Sequence, residues 1–293
     1  MRAFSKIHPI ALLVYFLSIF LIGMFVNNPV INIITLLSGI LSSSMLTNSK
    51  KKLSDFFFYI SMLLLISITN PLFSHNGKTP LFFMNGNAIT KEAIVCGFFI
   101  GIMLVGIMLW FKCLNLVFTS DKIVFLFGKI IPKISLVITV SLRYIPMLKR
   151  QAGNIKKAQK AMGLYSSDSY ADKIRSHMRI FSSLIGWSME QAVETSREMK
   201  ARGYGLKGHS NYSNYKFKSS DVFILLITLV LTFIVFFGVS DGKLNFSYYP
   251  EITKINTSIS ALCSYLCYGF LTFMLFFIEA EEIIRWNYCR SKI

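Results

Sequence analysis

AIVCGFFIGIMLVGIMLWFKCLNLVF, residues 93–118, carries a single charge, Lys112, in its whole length. As a helix it extends ~39 Å at ~1.5 Å per residue, more than the ~30 Å hydrocarbon core of a bilayer. In lipid no water is available to pair exposed N–H and C=O groups, so a spanning segment satisfies them internally. The run reads as a membrane helix.

Five more stretches read the same way: Ile10–Val26, Pro29–Leu46, Phe56–Phe73, Val222–Val239 and Ser258–Ile278. Charged residues make up 15% of the chain, against about 25% in a typical soluble domain. The fold expected is all-α, a polytopic membrane protein with about six transmembrane helices. Arg2 and Lys6 precede the first run as in a signal peptide. Beyond it come Asn27-Asn28-Pro29 and another apolar run, without a small-x-small cleavage pattern, so the segment is expected to be retained.

The basic residues set the expected orientation. With the N-terminus inside, the outer loops hold Lys78, Lys91, Lys243 and Lys254, whereas inner segments hold 26 of the 31 Lys and Arg. Both termini are therefore expected in the cytoplasm. Lys112 falls near the inner end of its span, where its stem can snorkel to the interface. The net charge of +17 is mostly this asymmetry plus attraction to anionic lipid. No nucleic-acid-binding module accompanies it, so no nucleic-acid partner is expected.

Residues 1–119 form a four-helix membrane region, 120–220 a coupling region and 221–293 a two-helix membrane region with a tail. The outer loop 74–91 is turn-rich, with a short apolar patch at Leu81–Met84. Its Gly77-Lys78-Thr79 lacks the upstream glycine of a phosphate-binding loop, since position 72 is Leu. Residues 130–148 are apolar enough for either the membrane surface or the interior of the bundle. From Lys149 polarity rises while Lys, Ala and Gln keep helical propensity to Ala161. A second polar helix is expected from about Lys173 to Ala201.

The coupling region echoes itself. Lys160-Ala161-Met162-Gly163 and Lys200-Ala201-Arg202-Gly203 lie 40 residues apart and agree at three of four positions. Each closes a helical pattern where Gly supplies a left-handed cap. Arg202 gains from the helix dipole and from Glu198 one turn earlier, so a purely local role accounts for it as it stands. Ser188, Ala192 and Ser196 recur every four residues, a ridge low enough for another helix to cross closely. Ordinary packing explains that ridge, but it does not explain matched tips.

These elements, in this order, resemble the transmembrane T component of energy-coupling factor transporters, the bacterial vitamin and metal uptake systems. Ser141-Leu142-Arg143-Tyr144-Ile145-Pro146 is similar to the family's element leading into its first coupling helix. Lys157 to Gly163 occupies the place of its first Ala-Arg-Gly motif, and Met199 to Gly205 matches the second. The resemblance implies a non-catalytic subunit of the bacterial plasma membrane with two long, crossed cytoplasmic coupling helices. It implies docking on two cytoplasmic ABC ATPase subunits and on a membrane S component that binds substrate. The docking residues would be Lys160, Ala161, Met162 and Gly163 at one tip, and Lys200, Ala201, Arg202 and Gly203 at the other. Ser188, Ala192 and Ser196 would form the crossing. Met162 stands where the family has arginine, so no ionic role carries over to it.

Chemistry of its own is not expected of this chain. His8, His75, His177 and His209 are scattered, and the five cysteines show no ligand spacing, so neither a metal nor a cofactor site is expected. Asp168 and Asp172 read as a solvated pair in a turn. An ion-coupled secondary transporter is one alternative, but every Asp and Glu falls in a loop, a polar helix or at a helix edge, leaving no buried carboxylate for a proton. A membrane scaffold unrelated to transport is another. For Gly97-x-x-x-Gly101, packing within the chain and packing on a partner both stay open.

Overall fold

A computed structural model describes residues 4, 7–47, 49–74, 77–84, 87–164, 170–206 and 215–291. Arg2, Lys6, His75, Asp168 and His209 lie outside the described residues. The helices are α1 (Pro9–Phe25), α2 (Pro29–Leu46), α3 (Ser49–Phe73), α4 (Lys91–Val117), α5 (Ser120–Ile130), α6 (Pro132–Ala161), α7 (Tyr170–Ala201), α8 (Ser219–Ser240) and α9 (Ile259–Ser291). A short antiparallel hairpin, β1 (Pro80–Met84) and β2 (Asn87–Thr90), links α3 to α4. All six apolar runs are helical, five of them long and apolar enough to cross a membrane, with α1 somewhat shorter. This is an all-α, multi-pass membrane protein.

Local chemistry starts these helices where the sequence changes. Pro9 and Pro29 occupy first-turn positions, where a missing N–H loses nothing. The Asn28 side chain accepts from Val30 N at 3.0 Å, and Thr90 Oγ1 accepts from Ala93 N at 3.3 Å.

The chain divides into two compact units, residues Met1–Lys122 with Tyr215–Ile293, and Ile123–Asn214. In the first, α2 packs on α4 and α9, α3 packs on α4, and α8 packs on α9 and α1. Aromatic residues fill its core: Phe4, Tyr15, Phe16 and Trp110 are buried with Leu271 and Leu275. A second cluster gathers Val26, Ile31, Val235, Tyr265 and Tyr268. Polar bonds key these helices together. Trp110 Nε1 donates to Thr35 O at 3.2 Å, Thr35 Oγ1 and Tyr268 OH lie 3.1 Å apart, and Asn28 Nδ2 donates to Tyr265 OH at 2.9 Å. In an apolar surrounding such bonds fix which faces meet, because any other register leaves them unpaired.

Glycines on α4 make the closest approaches to neighbouring backbone. A Cβ on Gly97 would sit 2.9 Å from Ser67 O and 2.8 Å from Asn70 Cβ on α3, and one on Gly101 would sit 3.3 Å from Leu63 O. Gly97-x-x-x-Gly101 therefore packs within the chain.

Several expectations need correction. Lys112 has a partner that the sequence does not announce: its Nζ donates to Asp55 Oδ2 at 2.6 Å and lies 5.8 Å from the centre of the Tyr59 ring. The expected lack of buried carboxylates fails, since Glu92, Asp221 and Glu279 are buried. Each is engaged near an end of its apolar run. Glu92 accepts from Thr79 Oγ1 at 2.9 Å, Asp221 from Lys218 N at 3.1 Å, and Glu279 from Phe4 N at 3.1 Å. The expected tail is helical, because α9 continues past Ile278 to Ser291. The apolar patch Leu81–Met84 is strand β1, and Lys78 beside it pairs with Glu251 at 2.9 Å.

Lys122 is buried at the start of α5, and its Nζ donates to Val117 O at the end of α4, 3.2 Å away. Burial lowers its ammonium to about 8 from an ordinary 10.5. The unfolded chain therefore holds more protons between those values, so stability rises as pH increases through that window. We expect the melting temperature to rise between pH 7.5 and 9.5, and Lys122→Met to remove the component of that rise that Lys122 supplies.

Candidate functional site

The second unit is built on α6 and α7. The apolar stretch and the polar stretch that follows it form one helix from Pro132 to Ala161, with Pro146 inside it. The proline removes a single donor, and the bonds on either side hold the helix. Where α6 meets α7, Tyr144 OH donates to Gln191 O at 3.3 Å and is also hydrogen-bonded to Thr195 Oγ1. Val140, Ser141, Tyr144, Ala192, Ser196 and Lys200 are among the residues lining a cleft of about 380 Å³ there. Of the small ridge, Ala192 and Ser196 face this cleft. Ser188 lies two turns before Thr195, half-buried, its Oγ donating to Ile185 O at 2.8 Å.

Both helices end in the same hydrogen-bond pattern. On α6, Gly163 N donates to Lys160 O at 3.1 Å and Leu164 N to Gln159 O at 3.2 Å. On α7, Gly203 N donates to Lys200 O at 3.0 Å and Tyr204 N to Met199 O at 2.9 Å. These paired bonds define the Schellman cap, which needs a left-handed residue. Gly163 has φ 73° and Gly203 φ 81°. The 40-residue echo is thus an echo in backbone geometry.

The caps present different side chains. At the α6 end Met162 is 67% exposed, with Leu164 beside it at 40%. At the α7 end Arg202 is exposed, 3.9 Å from Glu198, and is followed by Tyr204 at 53% and Leu206 at 70%. Large apolar side chains thus stand exposed beside each fixed turn. Leu164, Tyr204 and Leu206 escape a motif search, because their exposure follows from the cap and not from residue type. Tyr144 escapes as well, since its partner lies about 50 positions away.

Covalent geometry sets how far apart the ends lie. From the Tyr144–Thr195 contact, α6 runs ~26 Å to Ala161 and α7 runs back ~38 Å to Tyr170. The chain between Ala161 and Tyr170 reaches at most ~32 Å. Those two arms therefore diverge by less than ~60°, and the α7 C-terminus, ~9 Å past the contact, lies on the far side. The two capped ends are about 30 Å apart or more. Among the described residues no group of three or more His, Cys, Asp or Glu gathers to hold a metal. Asp172 pairs with Arg175 at 3.8 Å.

Three curated relatives bear the name energy-coupling factor transporter transmembrane protein EcfT. The protein from Bacillus subtilis is 26% identical over 191 residues, covering 61% of this chain and 71% of its own. That from Clostridium kluyveri is 25% identical over 231 residues, 75% of this chain and 84% of its own. That from Listeria innocua is 30% identical over 106 residues, 36% of this chain and 40% of its own length. The CbiQ family, described as cobalt transport protein, matches residues 3–215, the first membrane region and the whole α6–α7 pair. This multi-pass membrane chain belongs to the CbiQ cobalt transport protein family.

Proposed function

We propose that this chain is the T component of an energy-coupling factor importer, converting motion of separate ATPases into movement of a substrate-binding S component. The observation that carries the reading is the pair of matching Schellman caps, which helix lengths place about 30 Å apart or more. One groove on one partner does not span that separation, whereas two ATPase subunits side by side offer two grooves. Arg202, flanked by Ala201 and Gly203, would meet acidic groups in one of them, where a bidentate Arg–carboxylate contact is stronger than its exposed pair with Glu198. Met162, with Ala161 and Gly163, would enter the other through apolar contact, and Lys160 and Lys200 would add charge at the rims. Ala192 and Ser196, with Ser188 nearby, would let α6 and α7 cross.

In this reading residues 1–119 and 221–293 form the membrane regions, 120–220 the coupling region, and both termini face the cytoplasm. Vitamin or metal specificity belongs to the S component. The proton-coupled alternative is disfavoured because Glu92, Asp221 and Glu279 are each engaged by a donor of this chain. The decisive experiment is mild-detergent purification from the native host with mass identification of companions. Two ATPase polypeptides, identical or not, and a small membrane protein are expected. Uptake that survives ATP depletion yet collapses with a protonophore would overturn the reading.

A further inference from the structure

A crevice of about 490 Å³ opens between α8 and α9, and its lining changes character along its length. At one end lie Lys218, Ser220 and Asp221, where α8 begins. Beyond them the walls are apolar: Phe223, Ile224 and Ile227 on α8, and Phe270, Met274 and Ile278, spaced by four, on α9. The lining runs ~10 Å along α8 from Ser220 to Ile227, the apolar part being ~6 Å of that, and ~12 Å along α9 from Phe270 to Ile278. Half of a ~30 Å hydrocarbon core is ~15 Å. The crevice therefore fits within one leaflet.

The polar end is held in place. His8 stacks on Phe217 with ring centres 3.6 Å apart, which pins the segment before α8 against the start of α1 and brings Ile7 to the wall. The Asp221 carboxylate is buried and accepts from Lys218 N, closing the first turn of α8. Lys216 and Lys218 are exposed and form no ion pair among the described residues. One cation, Lys218, thus stands at the mouth of an apolar trough that fits within a single leaflet, and Lys216 lies two positions before it in the chain.

We infer that this crevice binds an anionic phospholipid, its acyl chain between α8 and α9 and its phosphate at Lys218. A partner's membrane helix fits less well, since it needs an apolar groove through both leaflets. A soluble metabolite fits less well, since the polar groups stand at one end only. The site uses none of the residues assigned to docking, so it stands or falls apart from that role.

Native mass spectrometry of the full chain, extracted in mild detergent and exchanged against phosphatidylglycerol or phosphatidylcholine vesicles, tests this. The expected result is one retained phospholipid per chain, with phosphatidylglycerol preferred. Ile227→Trp, which fills the trough, should abolish retention while the melting temperature stays within a few degrees. Lys218→Glu should reduce the preference by about five-fold per unit of charge changed. Lys243→Ala, remote in sequence from the crevice, should leave it intact. Equal retention in the Ile227→Trp protein, a preference unmoved by Lys218→Glu, or a photoreactive group at Ile227 that captures polypeptide in place of lipid would each overturn the assignment.

Discussion

Arg202→Glu is expected to strip at least one ATPase from the purified complex, by ten-fold or more, while membrane insertion and the melting temperature of the isolated chain stay close to wild type. The local consequences are small. The exposed pair with Glu198, at 3.9 Å, contributes ~0.2–0.5 kcal/mol at most, and an anion in the last helical turn costs ~0.3–1 kcal/mol. At an interface the same change loses a charge-assisted contact and adds repulsion, an effect of ~2–5 kcal/mol. Each 1.4 kcal/mol is a factor of ten in affinity. The difference in scale separates docking from folding. Arg175→Glu, an exposed cation near the other end of α7, is the control and should co-purify normally. Should Arg202→Glu retain both ATPases, Arg202 does not carry the docking.

Gly97→Leu should have the largest effect on the fold itself. The first added carbon alone comes within 2.9 Å of a backbone oxygen on α3, and backbone cannot turn aside as a side chain can. Overpacking of this kind costs ~1–3 kcal/mol or more, and here it pushes apart two helices that meet along much of their length. We expect Gly97→Leu to lower the melting temperature sharply and to reduce the yield of monodisperse protein. Gly153→Ala is the opposite case. No atom lies within 4 Å of its added carbon, and in a helix interior Ala is favoured over Gly by up to ~1 kcal/mol. It should leave stability unchanged or raise it. Equal melting of the Gly97→Leu protein and wild type would mean that α3 and α4 do not meet at this face.

The membrane helices were legible because lipid admits so few solutions: an apolar run of 18 residues such as Pro29–Leu46 has to be a helix. The caps were legible too, since Gly at the end of a helical pattern has a specific conformational use. What escaped depends on partners distant in the chain. Nothing near Lys112 announces Asp55, 57 positions away, as its ion-pair partner. The rise in polarity at Lys149 was expected to leave helical propensity intact, and backbone hydrogen bonds carry α6 through it, from Pro132 to Ala161. The small ridge was visible on α7, but only the contact with Tyr144 shows that Thr195, lying between Ala192 and Ser196, is the bonded position.

The off-centre placement of the Tyr144–Thr195 bond gives the helix pair a mechanical ratio. If that bond is the fulcrum, the α6 end sits on a beam ~26 Å long and the α7 end on one of ~9 Å. An equal push at each end then swings α7 through nearly three times the angle of α6. Two motors closing in unison would therefore drive an asymmetric tilt, even if the motors themselves were the same.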